Sequence, residues 1–378
     1  MGIDNLKTVM PCNAISSWYE YAYQKGGLTN IASDRYISYL AGFVSTAKDP
    51  FSGDCYDYMQ KLSYDETVLG GQYTDGTSAF WKDRDYSRMD IDTGTSVLLV
   101  HGINDYNVKM CEFERTVEMF RDSGIEMKTF LHQGAHQSSD NEFVFLLGND
   151  DGMVTANKWY SHYLFGRDTG TDGWPDIQVQ SNLDGSWSAY DSLDPKSEAV
   201  FKYAGSGTET FYPDSEEYDG FEIDIAVADR DMTILGGELR LRLSSQTDGI
   251  PSQPVSAVVK DMYGPGMKAF RNVDFSTVET EFADSGDLEA DTVWFGSTLS
   301  DCRLSEFALL DTTSREICIG SVGMDYYGET VDLDSMRAQD RVPGEMYEYV
   351  IDMQPTAYTL KAGHTITLLI TGFEPYTK

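Results

Sequence analysis

The sequence predicts a chain of two regions, an α/β region built on a parallel sheet and an all-β region that follows it. Three observations predict this fold class. Apolar strand patterns alternate with helical patterns in the first part, period-two strands and turn clusters fill the second, and the 378 residues exceed what one typical domain needs. The style of the sequence changes near residue 170, which predicts domains of residues 1–170 and 171–378.

A strand, a helix and a second strand follow one another in the first region. VLLVHG at residues 97–102 is apolar on both faces, as a buried parallel strand is, and MKTFLH at residues 127–132 predicts the next strand. The segment between them predicts a helix that ends near Gly124. Its apolar stripe recurs at helical spacing: Met110, Phe113, Val117 and Phe120. Such a βαβ unit requires a parallel sheet.

Helical patterns also flank this unit. AISSWYEYAYQKGG at residues 14–27 predicts a helix closed by its two glycines. VTANKWYSHYLFG at residues 154–166 predicts a helix that ends at its glycine. Residues 28–95 show no clear period, and we interpret them as helices and loops that cover the sheet.

The second region consists of short alternating strands after the turn cluster TGTDGWPD at residues 169–176. Leucines alternate with arginines in the last part of FEIDIAVADRDMTILGGELRLRL at residues 221–243. The pattern of YEYVIDMQPTAYTLKAGHTITLLI at residues 347–370 is similar. Strands of this kind, separated by turns, predict a β-sandwich of the jelly-roll type.

Charge and cysteine usage exclude several classes of function. The chain has 28 basic and 62 acidic residues, a net charge of −34, so it would repel the phosphates of nucleic acids and anionic lipids. Its five cysteines are odd in number and widely spaced, which indicates neither a disulfide framework nor a zinc site and favours the reducing cytoplasm. No apolar stretch approaches the ~18 residues of a membrane span.

A carboxylate and a histidine follow the two predicted strands of the βαβ unit. Asp105 lies in HGINDYNV after the first strand, and His136 lies in HQGAH after the second. Neighbouring parallel strands bring such loops side by side, where a carboxylate can accept the Nδ1 proton of an imidazole and leave Nε2 as a base. Aspartate before histidine is the chain order of α/β-hydrolase triads, in which the serine comes first.

Other interpretations of these residues stay open on the sequence alone. Asp105 could simply be the N-cap of the next helix. His132 and His136 are spaced like a zinc-binding pair, but Gly134 lies between them and neither an HExxH glutamate nor a third ligand is evident. The remaining histidines are interpreted as structural: His101, His162 and His364.

A nucleophile is missing from the pattern. No G-x-S-x-G elbow occurs in residues 1–104, where this chain order would place the serine. The serines considered lack flanking glycines, begin a strand or come too late in the chain: Ser16, Ser17, Ser96, Ser206 and Ser321. The sequence therefore offers an acid and a base without a nucleophile.

Six motifs carry a resemblance to a known family. They are LKTVMPCNAISSWYEYAY, FWKDRDYSRMD, VLLVHGINDYNV, FLHQGAH, VTANKWYSHYLFG and RVPGEMYEYVIDMQPTAYTLKAGHTITLLI. Together they resemble the X-prolyl dipeptidyl-peptidase family of serine peptidases, from Met1 to about Phe373. The pair HG-x-ND-x-NV and HQG-x-H is fairly specific, and SSWY-x-Y favours the X-prolyl branch over related esterases. The resemblance implies an α/β-hydrolase catalytic domain followed by a jelly-roll.

The resemblance also implies roles for individual residues. Asp105 would be the triad acid and His136 the general base. Catalysis would need no cofactor and no metal. The partners implied are peptide substrates with proline at the second position and, as a homodimer, a second copy of the chain.

A substrate pocket follows from the same resemblance. Trp18 and Tyr21, together with Val108, would line the pocket for the penultimate proline, since a flat ring packs well on aromatic faces. Asn107 would help to hold the free amino terminus of the substrate. The residues alone leave ordinary packing of a helix on a sheet as the alternative for Trp18 and Tyr21.

In full-length family members, the serine elbow comes shortly before the stretch that matches GIDNLKTVMP. We therefore expect a C-terminal fragment of a serine exopeptidase that releases X-Pro dipeptides from peptide amino termini through an acyl-enzyme, inactive without its upstream serine. Two alternatives stay open. One is an acyl esterase or amide acylase of the same superfamily, and the other is a non-catalytic protein whose jelly-roll binds carbohydrate or a partner.

Overall fold

The first region is built around one five-stranded sheet. This computed structural model describes residues 5–28, 76–89, 94–134, 136, 146–147, 150–194, 196–202, 220–244, 254–263, 268–270, 280–283, 293–294, 297–302, 309–311, 314–328 and 337–372. The α-helices among them are α1 (Trp18–Ala22), α2 (Ala79–Lys82), α3 (Met110–Asp122) and α4 (Gly152–Phe165). The strands of the first region are β1 (Thr8–Val9), β2 (Tyr23–Gln24), β3 (Gly27–Leu28), β4 (Ser96–Gly102), β5 (Met127–His132), β6 (Leu146–Leu147), β7 (Asp150–Asp151), β8 (Ile177–Gln180) and β9 (Trp187–Tyr190).

The sheet has the strand order β1-β4-β5-β8-β9. Its first four strands are parallel, and β9 pairs antiparallel with β8. The predicted strands at 97–102 and 127–132, the helix between them and the parallel βαβ unit are confirmed by β4, α3 and β5. Gly124 adopts a positive φ of 68° just past α3, the left-handed conformation that ends many helices.

Helices cover both faces of this sheet. Side chains alternate along β4, so that Leu99 packs with Phe113 of α3 while Leu98 packs with Trp159 of α4. The strand is therefore apolar on both sides, as its sequence predicts. The predicted helix at 154–166 is confirmed by α4, and Gly166 again has a positive φ of 65° after its last residue.

The predicted helix at 14–27 is wrong over much of its length. Helix α1 covers only residues 18–22, and the backbone is extended at both caps, Ser17 and Tyr23. Lys25 and Gly26 both have positive φ, so they form the two-residue turn of the β2–β3 hairpin. Within residues 28–95, helix α2 and a 3₁₀ helix at Tyr86–Arg88 fit the interpretation, and residues 29–75 and 90–93 lie outside the described residues.

Strands β8 and β9 belong to the first sheet, although the sequence prediction assigned all residues after 170 to the second domain. Thr129 to Leu131 of β5 pair in parallel with residues 177–179 of β8. The turn cluster at 169–176 thus connects two parts of the first region, and it contains a 3₁₀ helix at Thr171–Gly173. We propose that the division between the regions lies after β9.

The second region is all-β, as predicted. Its four-stranded antiparallel sheet has the order β10-β22-β13-β19, and β12 pairs with β20. The strands are β10 (Gly220–Val227), β11 (Met232–Ile234), β12 (Gly237–Ser244), β13 (Pro254–Met262), β14 (Lys268–Phe270), β15 (Thr280–Ala283), β16 (Val293–Trp294), β17 (Ser297–Cys302), β18 (Leu309–Asp311), β19 (Ser314–Gly323), β20 (Met346–Met353), β21 (Tyr358–Leu360) and β22 (Thr365–Thr371).

One apolar core joins the two layers of this sandwich. Inward side chains of β12 and β20, such as Leu241 and Ile351, share a cluster with Ala257 of β13 and Leu368 of β22. Trp81 of α2, buried to 1% exposure, belongs to the same cluster. The first region therefore contributes side chains directly to the core of the second. Among the described helices, none combines the length and the apolar character needed to cross a bilayer.

The β2–β3 hairpin lies against β19 and β20 and ties the two regions together. Gln24 donates from Nε2 to the carbonyl of Asp352 at 2.8 Å and accepts from the backbone N–H of Ser321 at 3.0 Å. The N–H of Gly323 donates to the carbonyl of Lys25 at 3.0 Å. The hairpin and the segment after β19 approach so closely that a Cβ added at Gly26 would lie 1.7 Å from the ring of Tyr326.

Gly26→Ala is expected to lower the free energy of unfolding by roughly 2–4 kcal/mol, because alanine disfavours the positive φ and its Cβ would collide with the Tyr326 ring. The measurement is urea unfolding followed by circular dichroism. Gly124→Ala is the matched control, since that glycine has a similar φ but no atom within 4 Å of an added Cβ. The control should lose only about 1 kcal/mol. Equal losses in the two variants would contradict the close approach.

Candidate active site

The carboxyl ends of β4 and β5 lie side by side. Gly102 pairs in register with His132, and the loops continue this pairing. The N–H of Ile103 donates to the carbonyl of His132 at 2.8 Å, and Asn104 donates from its backbone N–H to the carbonyl of Gly134 at 3.0 Å. The Nδ2 of Asn104 also donates to the carbonyl of Gln133 at 2.8 Å. The two loops that carry the predicted acid and base are therefore joined by backbone contacts.

The carboxylate of Asp105 contacts the imidazole of His136. Asp105 Oδ2 lies 2.9 Å from His136 Nδ1, while its Oδ1 accepts hydrogen bonds from the N–H groups of Asn107 at 2.9 Å and Val108 at 2.8 Å. The side chain of Asp105 is fully buried, whereas that of His136 is 41% exposed. A buried carboxylate that holds Nδ1 of a solvent-facing imidazole fixes the ring orientation in which Nε2 acts as a base.

The predicted pocket residues extend from this pair along one line of contacts. The hydroxyl of Tyr21 donates to Asn107 Oδ1 at 2.5 Å, and the rings of Trp18 and Tyr21 meet edge to face with centroids 5.7 Å apart. Tyr21 is buried at 1% exposure, while Trp18 is half-buried. Buried Val108 lies in the Asp105 loop. The structure thus brings together all six residues that the sequence singles out, and their roles stay predictions.

Sequence reasoning missed Gln133, which fixes the loop that carries His136. Its backbone N–H donates to Gln180 Oε1 at 3.0 Å and its Nε2 donates to the carbonyl of Gln180 at 2.8 Å. Its Oε1 accepts from Arg315 Nη2 of the β-sandwich at 3.0 Å. The HQG-x-H motif points to the loop, but no local signal connects Gln133 to an arginine far along the chain.

Glu112 on α3 was also missed. It is fully buried, and its Oε2 accepts hydrogen bonds from the N–H of Ser16 at 2.8 Å, the hydroxyl of Ser16 at 2.5 Å and the N–H of Ser17 at 2.8 Å. The apolar stripe predicts only one buried face of α3. The polar side that faces α1 is covered as well, since Arg115 contacts Glu20 at 3.3 Å.

Burial shifts the pKa of two carboxyls at the contact between α1 and α3. Burial raises the pKa of Glu112 to about 7, although the hydrogen bonds from Ser16 and Ser17 act to lower it. Burial likewise raises the pKa of Glu20, against the lowering effect of Arg115. Glu20 lies on α1 and Glu112 on α3, where the two helices face each other. The ionisation state of Glu112 at this contact therefore depends on pH near neutrality.

The serines considered as nucleophiles have other partners. Ser16 and Ser17 face Glu112, and Ser17 caps α1 by accepting from the N–H of Glu20 at 3.4 Å. Ser96 begins β4, and the hydroxyl of Ser321 lies 2.6 Å from that of Ser256 inside the sandwich. Ser206 lies outside the described residues.

The other histidines contact groups other than the Asp105 carboxylate. His101 Nε2 is 2.9 Å from the carbonyl of Val108. His162 contacts Asp172 on the surface at 3.2 Å. In the β-sandwich, His364 Nδ1 lies 2.9 Å from Asp261 Oδ1. His132 Nδ1 accepts from the N–H of Gly134 at 3.0 Å within its own loop.

Two family models match the chain. The model of the X-Pro dipeptidyl-peptidase (S15 family) matches residues 1–138, and that of the X-Pro dipeptidyl-peptidase C-terminal non-catalytic domain matches residues 223–376. The Xaa-Pro dipeptidyl-peptidase of Lacticaseibacillus rhamnosus is 26% identical over 407 aligned residues, which cover 98% of this chain and 48% of the relative. A relative from Streptomyces avermitilis is 27% identical over 403 aligned residues, which cover 98% of this chain and 55% of the relative.

Solved structures show the same fold. An aminopeptidase from a marine sediment archaeon matches with a TM-score of 0.58 at 14% identity, covering 98% of this chain and 66% of that chain. A CocE/NonD family hydrolase from Staphylococcus aureus matches with a TM-score of 0.60 at 12% identity, and the match covers 99% of this chain and 61% of the hydrolase. At such identities the likeness concerns the fold alone.

The fold and the matched models together define an α/β-hydrolase with a C-terminal β-sandwich, which confirms the predicted fold class. Within that class, the chain belongs to the X-Pro dipeptidyl-peptidase (S15) family, as its motifs predict. The chain spans about half the length of the curated relatives it matches.

Glu112→Gln is expected to become more stable relative to wild type as pH rises. A carboxyl whose folded-state pKa is raised from 4.5 to about 7 contributes stability below pH 4.5, and this contribution is lost as pH rises through about 7. The unfolding free energy of Glu112→Gln minus that of wild type should increase by about 2 kcal/mol from about pH 5.5 to about pH 8. Urea unfolding at both pH values measures it. Glu118→Gln, an exposed site on the same helix, should show no such trend.

Proposed function

We propose that this chain is the C-terminal part of a serine exopeptidase that releases X-Pro dipeptides from the amino termini of peptides. One observation carries the proposal: the Asp105–His136 pair at 2.9 Å continues through Asn107 into the Trp18–Tyr21 aromatic pair. An acid–base pair next to an aromatic surface suits cleavage after a flat, apolar proline ring. Membership of the family supports the same reaction.

The proposed reaction uses the acid–base pair and a serine. A serine from a segment preceding residue 1 attacks the carbonyl carbon of the proline residue, and His136 Nε2 takes the serine proton. His136 then gives that proton to the leaving amine, which departs as the shortened peptide and leaves an acyl-enzyme. Water then attacks the acyl carbonyl and gives a proton to His136 Nε2. His136 returns this proton to the departing serine oxygen, and the X-Pro dipeptide is released as a free acid. The buried Asp105 carboxylate stabilises the imidazolium in both steps.

Asn107 contacts Tyr21 of the pocket and is proposed to bind the amino terminus of the substrate. Its Oδ1 already accepts the Tyr21 hydroxyl at 2.5 Å, and a carbonyl oxygen has a second lone pair for another donor. The ammonium group at a peptide's amino terminus is such a donor. The Tyr21 contact holds the Asn107 amide in one orientation. An amino terminus bound there lies at a fixed distance from the scissile bond, which favours removal of two residues.

We also propose a cytoplasmic location and a homodimeric assembly. The wide, odd cysteine pattern supports a reducing compartment. The homodimer rests on the family resemblance. Size-exclusion chromatography with light scattering tests it, and a monomer at micromolar concentration would contradict it.

The decisive experiment extends the reading frame upstream of residue 1 and assays Ala-Pro-p-nitroanilide. The extended protein should hydrolyse it, and Asp105→Asn should lower kcat by about 10⁴-fold, because the imidazole loses its partner. His136→Ala should abolish turnover. His162→Ala is the matched control, since His162 pairs with Asp172 on the surface and should leave activity unchanged.

Three outcomes would count against this proposal. Turnover of aryl esters without X-Pro amides would select the acyl esterase or amide acylase. An upstream frame without a serine elbow would select the non-catalytic binding protein. Full activity of Asp105→Asn would refute the assignment of the acid.

Trp18→Ala in the extended protein should lower kcat/KM for the X-Pro substrate by roughly 10–100-fold, because one apolar wall of the pocket is removed. Hydrolysis of p-nitrophenyl acetate, which has no proline to place, should stay the same. Trp18→Phe keeps an aromatic face and should retain most of the activity. Equal loss on both substrates in Trp18→Ala would show that Trp18 serves the fold and not the pocket.

A further inference from the structure

The Glu112 carboxylate holds the segment that leads into the pocket helix. Three donors converge on one oxygen, Oε2: the N–H and hydroxyl of Ser16 and the N–H of Ser17. The residue is 0% exposed, and Oε1 has no hydrogen-bond partner among the described residues. Burial of a carboxylate is costly, and hydrogen bonds offset part of this cost. The three donors from Ser16 and Ser17 are therefore the contacts that hold Glu112 in its buried position.

Helix α1 depends on such contacts for its position. It has five residues, too few for a helix that is stable by itself. Trp18 follows Ser17 directly, and Tyr21 lies one turn further on. The backbone of this segment is also joined to the residues after α2, through Tyr86 N–H to the Ser16 carbonyl at 2.8 Å. Glu112 joins the start of this segment, Ser16 and Ser17, to α3, the helix that follows the Asp105 loop. Arg115 of α3 contacts Glu20 further along α1 at 3.3 Å.

We propose that Glu112 is a positioning residue for substrate binding: by fixing the start of α1 to α3, it sets the placement of Trp18 and Tyr21 relative to the Asp105 loop. This inference rests on the proposed function, because it assumes that these rings contact the proline of the substrate. It adds a residue that touches no substrate and acts only through the pocket helix.

The acid–base pair has anchors of its own. Asp105 is fixed by the N–H groups of Asn107 and Val108, and its loop is tied to the β5 loop through Asn104. Helix α3 is held on the sheet by its apolar stripe, with Met110 and Phe113 buried. Loss of the Glu112 contact should therefore displace the pocket and leave the acid–base pair in place.

The test uses the extended protein and two substrates, Ala-Pro-p-nitroanilide, which needs the pocket, and p-nitrophenyl acetate, which needs only the acid, base and nucleophile. Glu112→Ala should raise KM for the X-Pro substrate roughly tenfold, with ester hydrolysis unchanged. Glu112→Gln keeps an acceptor oxygen and should bring KM back to within about threefold of wild type. Glu118→Ala removes an exposed carboxylate from the same helix and should change neither substrate.

Each result separates the inference from the proposed function. An unchanged KM in Glu112→Ala, or equal losses on both substrates, would overturn the positioning role while X-Pro cleavage by wild type stands. Absence of X-Pro cleavage in wild type would overturn the proposed function itself. Should Glu112→Ala fail to fold, Ser16→Ala removes only the 2.5 Å hydroxyl contact. An unaltered KM in that variant would also overturn the inference.

Discussion

The in-register parallel pairing of β4 and β5 is the constraint on which the rest of the site depends. It ends with Gly102 opposite His132, so the chain leaves both strands at the same edge of the sheet. From there Asp105 and His136 reach each other within a few residues of regular structure. A slip of two residues in this register would separate the carboxylate from the imidazole by several ångströms, at ~3.3 Å per residue.

Helix α3 transmits this geometry to the rest of the first region. It begins directly after the Asp105 loop, its apolar stripe binds it to the sheet, and its polar face binds α1. The polar face contains carboxyls and an arginine in a buried setting, with Glu112 and Arg115 as its two main contacts. One helix thus follows the Asp105 loop at its start and contacts α1, which carries Trp18 and Tyr21, along its side.

The sequence was sufficient for the parts of the structure that depend on local pattern. Strands β4 and β5 and helix α3 follow from apolar periodicity, and the neighbouring positions of Asp105 and His136 follow from parallel topology. Tertiary contacts decide the rest. Helix α1 is short because the Lys25–Gly26 turn folds the chain back against the sandwich, and the partners of Gln133 and Glu112 are far apart in sequence. No periodicity encodes such pairs.

The hairpin at Gln24 and Gly26 has a consequence for how the molecule is assembled. The side-chain amide of Gln24 is bonded to β19 and β20, and the carbonyl of Lys25 accepts from the N–H of Gly323 in β19. The Trp81 side chain belongs to the sandwich core. The all-β part therefore depends on the first region, because its separation would uncover the groups of β19 and β20 that bind the hairpin and the core side chains that surround Trp81. Because one core cluster contains side chains of both regions, we expect the two regions to unfold together.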